Sequence, residues 1–227
     1  FGTTGNLQRN VAQILGRKNV KKGLTMNLEF KINGKILETD RLILRAFKLE
    51  DIDDFYEYAS VPDVGEMAGW HHHENMDESL IILSRFIESD KTFAIVLKEN
   101  GKVIGSLGVE EYGDEDKLYE FKDYKGREIG FVLSKDYWGK GIMKEAVDKV
   151  CEYLFDEIGL DFLICGHFEW NTQSRRVQEK CGFKPYRKIV INTRMGTQEP
   201  GYLNLKINPK KDIKFKFSHP ETLIWEE

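Results

Sequence analysis

The sequence has few cysteines, little net charge and no long apolar run. Its three cysteines, Cys151, Cys165 and Cys181, are widely spaced and form no Cys-x-x-Cys pair, so neither a disulfide framework nor a metal site is indicated. A net charge of −4 gives no general reason to expect nucleic-acid binding. No apolar segment approaches the roughly 20 residues that span a bilayer. We therefore expect a soluble protein with neither nucleic-acid nor membrane partners, in the reducing environment of the cytoplasm.

Acidic residues are absent from the N-terminal segment, residues 1–25, which has five basic ones. Its one apolar group, around residues 11–15, is too short for the core of a secretory signal. The whole chain of 227 residues is 41% hydrophobic, which suits one domain with a sizeable core. We predict that residues 26–227 form the functional domain and that residues 1–25 are an extension dispensable for activity. A basic docking arm is the alternative.

The spacing of apolar residues predicts a domain of the α/β class. Alternation at every second residue indicates strands, and a period of 3.6 residues indicates helices. Asn100-Gly101 predicts a hairpin turn, and Gly105 and Gly108 predict a bulge or close packing in the strand that follows. The predicted strands cover residues 37–47, the hairpin 92–110, 127–133, 162–168, 183–191 and a segment within 214–225. The predicted helices cover residues 49–61, 75–89, 141–158 and 171–182, and Asn75 or Asp77 is predicted to cap the second of them.

Residues 127–146 combine a strand, a polar turn and a glycine-rich entry into a helix. Ile129, Phe131 and Leu133 share one face of the strand, and Gly139 and Gly141 open the helix. A helix N-terminus offers unpaired N–H groups and a partial positive charge, and glycines there let an anion approach the backbone. This pattern predicts a phosphate site, and a plain tight turn is the alternative.

Two common phosphate loops do not fit the spacing. A P-loop would need a glycine in place of Ser134 and a serine or threonine in place of Gly141. A dinucleotide-binding loop would need its third glycine in place of Lys144. The predicted phosphate site is therefore of another type.

Three short motifs lie in order along the chain. They are Glu-Thr-Asp-Arg-Leu-Ile-Leu-Arg at 38–45, Tyr-Trp-Gly-Lys-Gly at 137–141, and Asn-x-x-Ser at 171–174, which continues to Glu-Lys-Cys-Gly-Phe at 179–183. Together they resemble the GNAT superfamily of acetyltransferases, and most closely its RimJ/RimL-like branch. The resemblance covers about residues 37–191. It implies the GNAT fold, in which helices flank a mixed, mostly antiparallel central sheet.

The resemblance also implies an activity. A protein of this family would be an N-acetyltransferase that moves an acetyl group from acetyl-CoA to a primary amine by direct attack in a ternary complex. The acceptor would be a protein N-terminal α-amine or a small-molecule amine, and the enzyme would be a monomer or a homodimer. A non-catalytic sensor or interaction module that binds CoA is the alternative.

By the same resemblance, two segments would hold acetyl-CoA. The glycine loop would bind the pyrophosphate through its backbone N–H groups, with Met143 bulky enough to crowd the phosphates where the family usually has Gly or Ala. The strand edge would pair with the pantetheine arm, a backbone N–H near Val132 would polarise the thioester carbonyl, and Asn171 would contact the pantetheine. The loop residues are Trp138, Gly139, Lys140, Gly141, Ile142 and Met143, and the edge residues are Phe131, Val132 and Leu133.

Two residues are the predicted catalytic groups. Glu128 begins the central strand and matches a position that carries the general base in many relatives, acting directly or through a water. A salt-bridged or solvated edge carboxylate is the alternative for Glu128, and the other candidate bases are Glu169, Glu111 and His167. Ser174 would assist the departing thiolate by hydrogen bonding. The alternatives are a helix cap for Asn171 and a polar first turn for Ser174.

The segment from 63 to 75 is predicted to be an irregular loop and contains three adjacent histidines, residues 71–73. Three consecutive residues of a regular element cannot all face one metal, because helical ligand pairs are usually four residues apart. By the resemblance, this loop would border the acceptor pocket, and a simple solvated run is the alternative.

Overall fold

The computed structural model describes residues 27–112 and 121–213. The N-terminal extension predicted over residues 1–25 and the strand predicted within 214–225 lie outside these ranges. The described chain forms eight strands in one sheet, in the order β1-β2-β3-β4-β5-β6-β8-β7. The strands are β1 Leu37–Glu38, β2 Leu42–Ala46, β3 Thr92–Leu97, β4 Val103–Glu110, β5 Gly126–Leu133, β6 Phe162–Phe168, β7 Lys184–Asn192 and β8 Gln198–Ile207.

Neighbouring strands are antiparallel except for β5 and β6, which are parallel. Helices cover both faces of this sheet. They are α1 Ile52–Ala59, α2 Met76–Ser89, α3 Ile142–Asp156 and α4 Thr172–Lys180. The predicted architecture, a mixed and mostly antiparallel sheet flanked by helices, is confirmed.

The predicted helix caps explain where two helices begin. The Asn75 side chain accepts a hydrogen bond from the Glu78 backbone N–H at the start of α2. The Asn171 side chain accepts one from the Ser174 N–H at the start of α4. Each cap satisfies one of the N–H groups that a helix N-terminus leaves without a partner.

The hydrophobic core has a large cluster on each side of the sheet. One cluster packs α3 against the strands, through residues such as Val147, Leu154 and Ile129. The other packs α1 and α2 against the opposite face, through residues such as Phe55 and Leu83. Truncation of a buried leucine such as Leu154 to alanine typically costs about 2–5 kcal/mol. The sheet, held from both sides, is therefore a rigid support for the groups at its edges.

The structure refines three features of the predicted strands. The first predicted strand is divided into β1 and β2 by a turn in which the Thr39 N–H donates to the Leu42 carbonyl. Close packing at Gly105 is confirmed, because a Cβ there would lie 2.4 Å from the Val132 carbonyl oxygen. Strand β8 is not predicted by the sequence, because Pro200-Gly201 is typical of a turn. In the sheet, Gly201 instead lets β8 approach β6 closely, because a Cβ there would lie 2.6 Å from the His167 carbonyl oxygen.

Candidate active site

Strands β5 and β6 separate as they leave their common starting point. β5 is paired with β4 from Glu128 to Leu133, but it is paired with β6 only from Gly126 to Glu128. Beyond Glu128 the two strands diverge and leave a wedge in the sheet. The wedge opens into a cleft of about 1280 Å³, whose walls include β5, β6, β7 and the N-terminal turns of α3 and α4.

The direction of the peptide groups decides which N–H groups of β5 face the wedge. The Ser134 N–H donates to the Ile104 carbonyl at 2.8 Å, so this pair is hydrogen bonded. Hydrogen-bonded and non-hydrogen-bonded residue pairs alternate along an antiparallel ladder. Val132, two residues before Ser134, is therefore also in a hydrogen-bonded pair, and its N–H points toward β4. The N–H groups of Phe131 and Leu133 face the open edge. The N–H expected near Val132 therefore comes from its two neighbours rather than from Val132 itself.

The glycine loop leads directly into the N-terminus of α3. Gly139 and Gly141 have φ values of 75° and 74°, in the left-handed region that favours glycine. Glycine is required at position 141 for its backbone conformation rather than for lack of space, because a Cβ there would meet nothing nearer than Arg41, at 3.8 Å. Gly141 is the N-cap and offers no side chain, and the Glu145 N–H already bonds to the Gly141 carbonyl. The N–H groups of residues 142–144 are thus the ones that helix geometry leaves for an anion.

An ion pair between Glu145 and Arg41, in the turn between β1 and β2, supports this loop, and sequence reasoning missed it. The Arg41 guanidinium donates to the Lys140 carbonyl at 3.0 Å and to the Glu145 carboxylate at 2.7 Å. Thr39 donates a further hydrogen bond to Glu145. Burial alone would raise the pKa of Glu145, but the hydrogen bonds from Thr39 and Arg41 outweigh it and lower that pKa. The Thr-Asp-Arg motif was the available signal, but its link to the loop is visible only in three dimensions.

Three predicted loop residues have structural contacts of their own. The Trp138 indole N–H donates to the Leu133 carbonyl at 2.8 Å and so braces the loop against the end of β5. The Lys140 ammonium lies 5.3 Å from the centroid of the Tyr137 ring, and Lys140 does not line the cleft. Met143 lines the cleft and is only 5% exposed, packed into the core below α3.

Glu128 occupies the point where the wedge begins. Its carboxylate reaches across to β6, where one oxygen lies 3.9 Å from the position that a Cβ on Gly166 would take. Burial, and secondly the negative charge of Glu110 directly opposite in β4, raise the pKa of Glu128 to about 7. A carboxyl with such a pKa is poised to exchange a proton near neutral pH.

The other candidate bases are placed differently. Glu111 pairs with Lys91 at 3.1 Å and does not line the cleft. Glu169 accepts a hydrogen bond from the Tyr202 hydroxyl and also lies away from the cleft. His167 does line the cleft, where burial lowers its pKa and its Nδ1 lies 2.9 Å from the Phe168 carbonyl oxygen. The geometry therefore favours Glu128, with His167 the nearest rival.

The N-terminal turn of α4 lines the same cleft as the glycine loop. Asn171 uses both ends of its amide, since Oδ1 caps the helix and Nδ2 donates to the Met67 carbonyl at 2.9 Å. Its predicted alternative role as a helix cap is confirmed. Ser174 lines the cleft, and its hydroxyl oxygen lies 3.1 Å from the Gln178 side-chain nitrogen. Asn171 thus fixes both the helix start and the neighbouring loop.

The predicted irregular loop borders the cleft through Val64, Met67 and Ala68. Its adjacent histidines have separate environments: His72 pairs with Glu66 at 2.8 Å, whereas His73 is buried and lies 2.6 Å from the Ser79 hydroxyl. In residues 27–112 and 121–213, no group of three or more acidic, histidine or cysteine side chains is arranged to hold a metal ion. Within the same ranges, no helix combines the length and the hydropathy that crossing a membrane requires.

Comparisons with known proteins agree with this geometry. The family model described as an acetyltransferase (GNAT) domain matches residues 41–184. N-acetyltransferase p20 of Bacillus licheniformis is 29% identical over 154 residues, which are 65% of this chain and 82% of that protein. A GNAT-family acetyltransferase structure from Bacillus anthracis covers 77% of this chain and 99% of its own, with 23% identity and a TM-score of 0.65. A ribosomal-protein-S5-alanine acetyltransferase structure from Vibrio fischeri covers 77% and 97%, with 21% identity and a TM-score of 0.60.

The family match extends over well more than half of the chain and includes the diverging strands, the glycine loop and α4. The solved structures share the same fold. The wedge, the helix N-terminus and the family match lead to the same conclusion. The chain belongs to the GNAT family and is an acetyl-CoA-dependent N-acetyltransferase.

Proposed function

We propose that this enzyme acetylates a primary amine, on a protein N-terminus or a small molecule, by direct attack in a ternary complex. The observation that carries the proposal is the position of Glu128, whose carboxyl has a pKa of about 7 and lies where β5 and β6 diverge. The same cleft holds the open edge of β5 and the glycine loop. Base, acyl-donor edge and anion site thus share one continuous space.

The donor groups of the cleft fit the chemistry of acetyl-CoA. The N–H groups at the start of α3 suit the pyrophosphate, with Gly139 and Gly141 keeping the approach open. The free edge of β5 offers N–H and C=O groups to an amide-rich arm, as a neighbouring strand would. When bound, acetyl-CoA supplies a thioester that an amine can attack. The N–H groups of Phe131 and Leu133 are the donors available to its carbonyl oxygen, where negative charge develops.

Glu128 has the task of taking a proton from the acceptor. An alkyl ammonium titrates near 10 and an α-ammonium near 8, so the acceptor arrives mostly charged at neutral pH. With a pKa of about 7, Glu128 is about half ionised there and can accept this proton directly or through a water. The nitrogen lone pair then attacks the thioester carbon, and as the carbon–sulfur bond breaks the second proton lost by the nitrogen goes to the departing sulfur, which leaves as the CoA thiol.

Ser174 has the opposite task, on the leaving group. Its hydroxyl lines the cleft at the start of α4, and it donates a hydrogen bond to the departing sulfur. A hydroxyl is a weak acid, so this contribution is hydrogen bonding to the thiolate rather than proton transfer. Asn171, whose amide already holds the helix and the Met67 carbonyl, completes the wall beside the pantetheine.

The three motifs support placing the enzyme in the RimJ/RimL-like branch, with residues 26–227 as the catalytic unit and residues 1–25 dispensable. Three free, buried cysteines are compatible with a reducing cytoplasm.

The acceptor side of the cleft combines the apolar residues Val64 and Met67 with the basic residues Arg187 and Lys188. These lining residues do not select one class of amine, so a direct assay has to choose between them.

The test is release of free CoA thiol from acetyl-CoA, with a panel of small amines and N-terminal peptides as acceptors. Amine-dependent release by the full chain is expected, and the same rate is expected from a chain that begins at residue 26. A thermal shift with acetyl-CoA accompanies the assay, because a ligand at about 100 times its Kd stabilises by roughly 2.7 kcal/mol. A thermal shift without release for any amine would favour a CoA-binding sensor and overturn the proposal.

A further inference from the structure

A buried side chain on α4 contacts the proposed leaving-group donor from behind. Gln178 is fully buried, and its amide nitrogen lies 3.1 Å from the Ser174 hydroxyl oxygen and 3.1 Å from the Gly166 carbonyl oxygen. Its amide oxygen accepts a hydrogen bond from the Asn204 side chain at 2.8 Å. These contacts join α4 to β6 and β8. Ser174 lines the cleft and the buried Gln178 does not, so Gln178 contacts the serine from the protein side.

The Gly166 carbonyl determines which way the Gln178 amide points. A carbonyl oxygen can only accept hydrogen bonds, so the atom facing it must be the Gln178 nitrogen. Gly166 also lies beyond Ile164, the last residue of β6 that pairs with β5. The divergence that creates the cleft therefore leaves no β5 partner at this position, and Gln178 supplies one from the helix. The Asn204 amide, at the other end, holds the oxygen of Gln178 in place.

This orientation assigns a role to the Ser174 hydroxyl. The two hydrogens of the Gln178 amide nitrogen go to Gly166 and to Ser174, so the serine oxygen accepts. A hydroxyl that accepts one hydrogen bond still has its own hydrogen to donate. Among the described residues, no protein acceptor is recorded for that hydrogen, and Ser174 lines the cleft. The hydrogen is thus available to a ligand there.

We propose that Gln178 is a positioning residue that makes Ser174 a hydrogen-bond donor toward the departing sulfur. This inference rests on the role proposed above for Ser174. A side chain that could only accept at position 178 would attract the serine hydrogen backward, away from the cleft. An apolar side chain would leave the hydroxyl free to rotate. In either case the leaving group loses a prepared donor, while the acetyl-CoA contacts on β5 and the glycine loop are untouched.

The test uses two variants. Gln178→Glu keeps the shape of the side chain and presents hydrogen-bond acceptors. Gln178→Met keeps its length and presents neither a donor nor an acceptor to Ser174. Each variant should lower kcat about tenfold, corresponding to the loss of one hydrogen bond to a charged group, and leave the KM for acetyl-CoA within about twofold. Thermal unfolding measured without ligand serves as the folding control, and rates are taken below the unfolding range of each variant. A merely structural role would lower stability and leave kcat per folded molecule unchanged, which would overturn the inference.

A double-mutant cycle with Ser174→Ala separates this inference from the function on which it rests. Ser174→Ala should itself lower kcat, and adding Gln178→Glu or Gln178→Met should then cost nothing further, because the residue being positioned is gone. If Ser174→Ala has the wild-type kcat, the role proposed for Ser174 fails. If Ser174→Ala is slow but the Gln178 substitutions multiply its defect in full, Gln178 does not act through Ser174 and the inference fails.

Discussion

The Arg41 guanidinium donates to the Lys140 carbonyl at 3.0 Å, and through this bond the turn between β1 and β2 holds the glycine loop at the start of α3. Glu145, one turn into the helix, anchors the same guanidinium. The loop glycines have little intrinsic rigidity, so the shape of the phosphate site depends on this external support. Pre-organisation of this kind lowers the cost of binding rather than adding contacts.

Arg41→Ala should therefore weaken acetyl-CoA binding without slowing the chemical step. We expect the KM for acetyl-CoA to rise about tenfold, equivalent to roughly 1.4 kcal/mol, with kcat nearly unchanged. Arg85→Ala, at an exposed position on α2, is the matched control and should behave as wild type. Steady-state kinetics with varied acetyl-CoA concentration measures KM and kcat for both variants. A fall in kcat at unchanged KM would contradict the supporting role assigned to Arg41.

Gly141→Ala should damage the same site through backbone strain. Gly141 has a φ of 74°, and a residue with a Cβ pays about 1–2 kcal/mol in the left-handed region. Gly101→Ala is the matched control, since Gly101 has a φ of 76° at the tip of the β3–β4 hairpin. Both variants should lose similar stability in thermal unfolding, but only Gly141→Ala should raise the KM for acetyl-CoA. Equal KM values in the two variants would show that the loop geometry is not needed for binding.

Glu110→Gln should shift the pH dependence of the reaction without abolishing it. The charge of Glu110, which lies opposite Glu128, adds to burial in raising the Glu128 pKa. Its removal should lower that pKa, so the acidic limb of the kcat profile should move to lower pH. Because Glu110 is exposed, the shift should shrink as salt is added. A profile that does not move at low ionic strength would mean that Glu110 does not influence the base.

Stability should also depend on pH through Glu128. Its folded-state pKa of about 7 lies above its ordinary value of 4.5, so between these pH values the folded protein holds a proton that the unfolded chain has lost. The free energy of unfolding therefore falls as pH rises through this window. In Glu128→Gln this contribution is absent. Denaturant unfolding at pH 5 and pH 8 should show Glu128→Gln gaining stability relative to wild type at the higher pH, and an equal difference at both would contradict the raised pKa.

Local patterns in the sequence were sufficient to predict much of the fold. The strand and glycine-opened helix of residues 127–146, the hairpin at Asn100-Gly101 and the caps at Asn75 and Asn171 all depend on neighbours within a few residues. Strand β8 was missed because Pro200-Gly201 favours a turn locally, whereas tertiary packing uses Gly201 for close approach to β6.

The unpredicted parts of the candidate site all depend on contacts between distant segments. Arg41 meets Lys140 across about 100 residues of chain, and nothing in the local sequence of either reveals the other. Gln178 has the appearance of a surface residue on a polar helix, and it is the packing of α4 against β6 and β8 that buries it. The direction of the Val132 N–H follows from the register with β4, which no single strand contains.

The central claim is that Glu128 removes the proton from the acceptor amine, and the pH dependence of kcat tests it most directly. CoA release is measured from pH 5.5 to 9 with saturating acetyl-CoA and the best acceptor, for wild type and for Glu128→Gln. Wild-type kcat should rise with pH through an apparent pKa near 7 and then level off. Glu128→Gln should be slower by roughly 10²-fold or more, with acetyl-CoA binding preserved and no limb near 7. The same limb in Glu128→Gln, at a similar rate, would assign the proton transfer to another group and contradict the account.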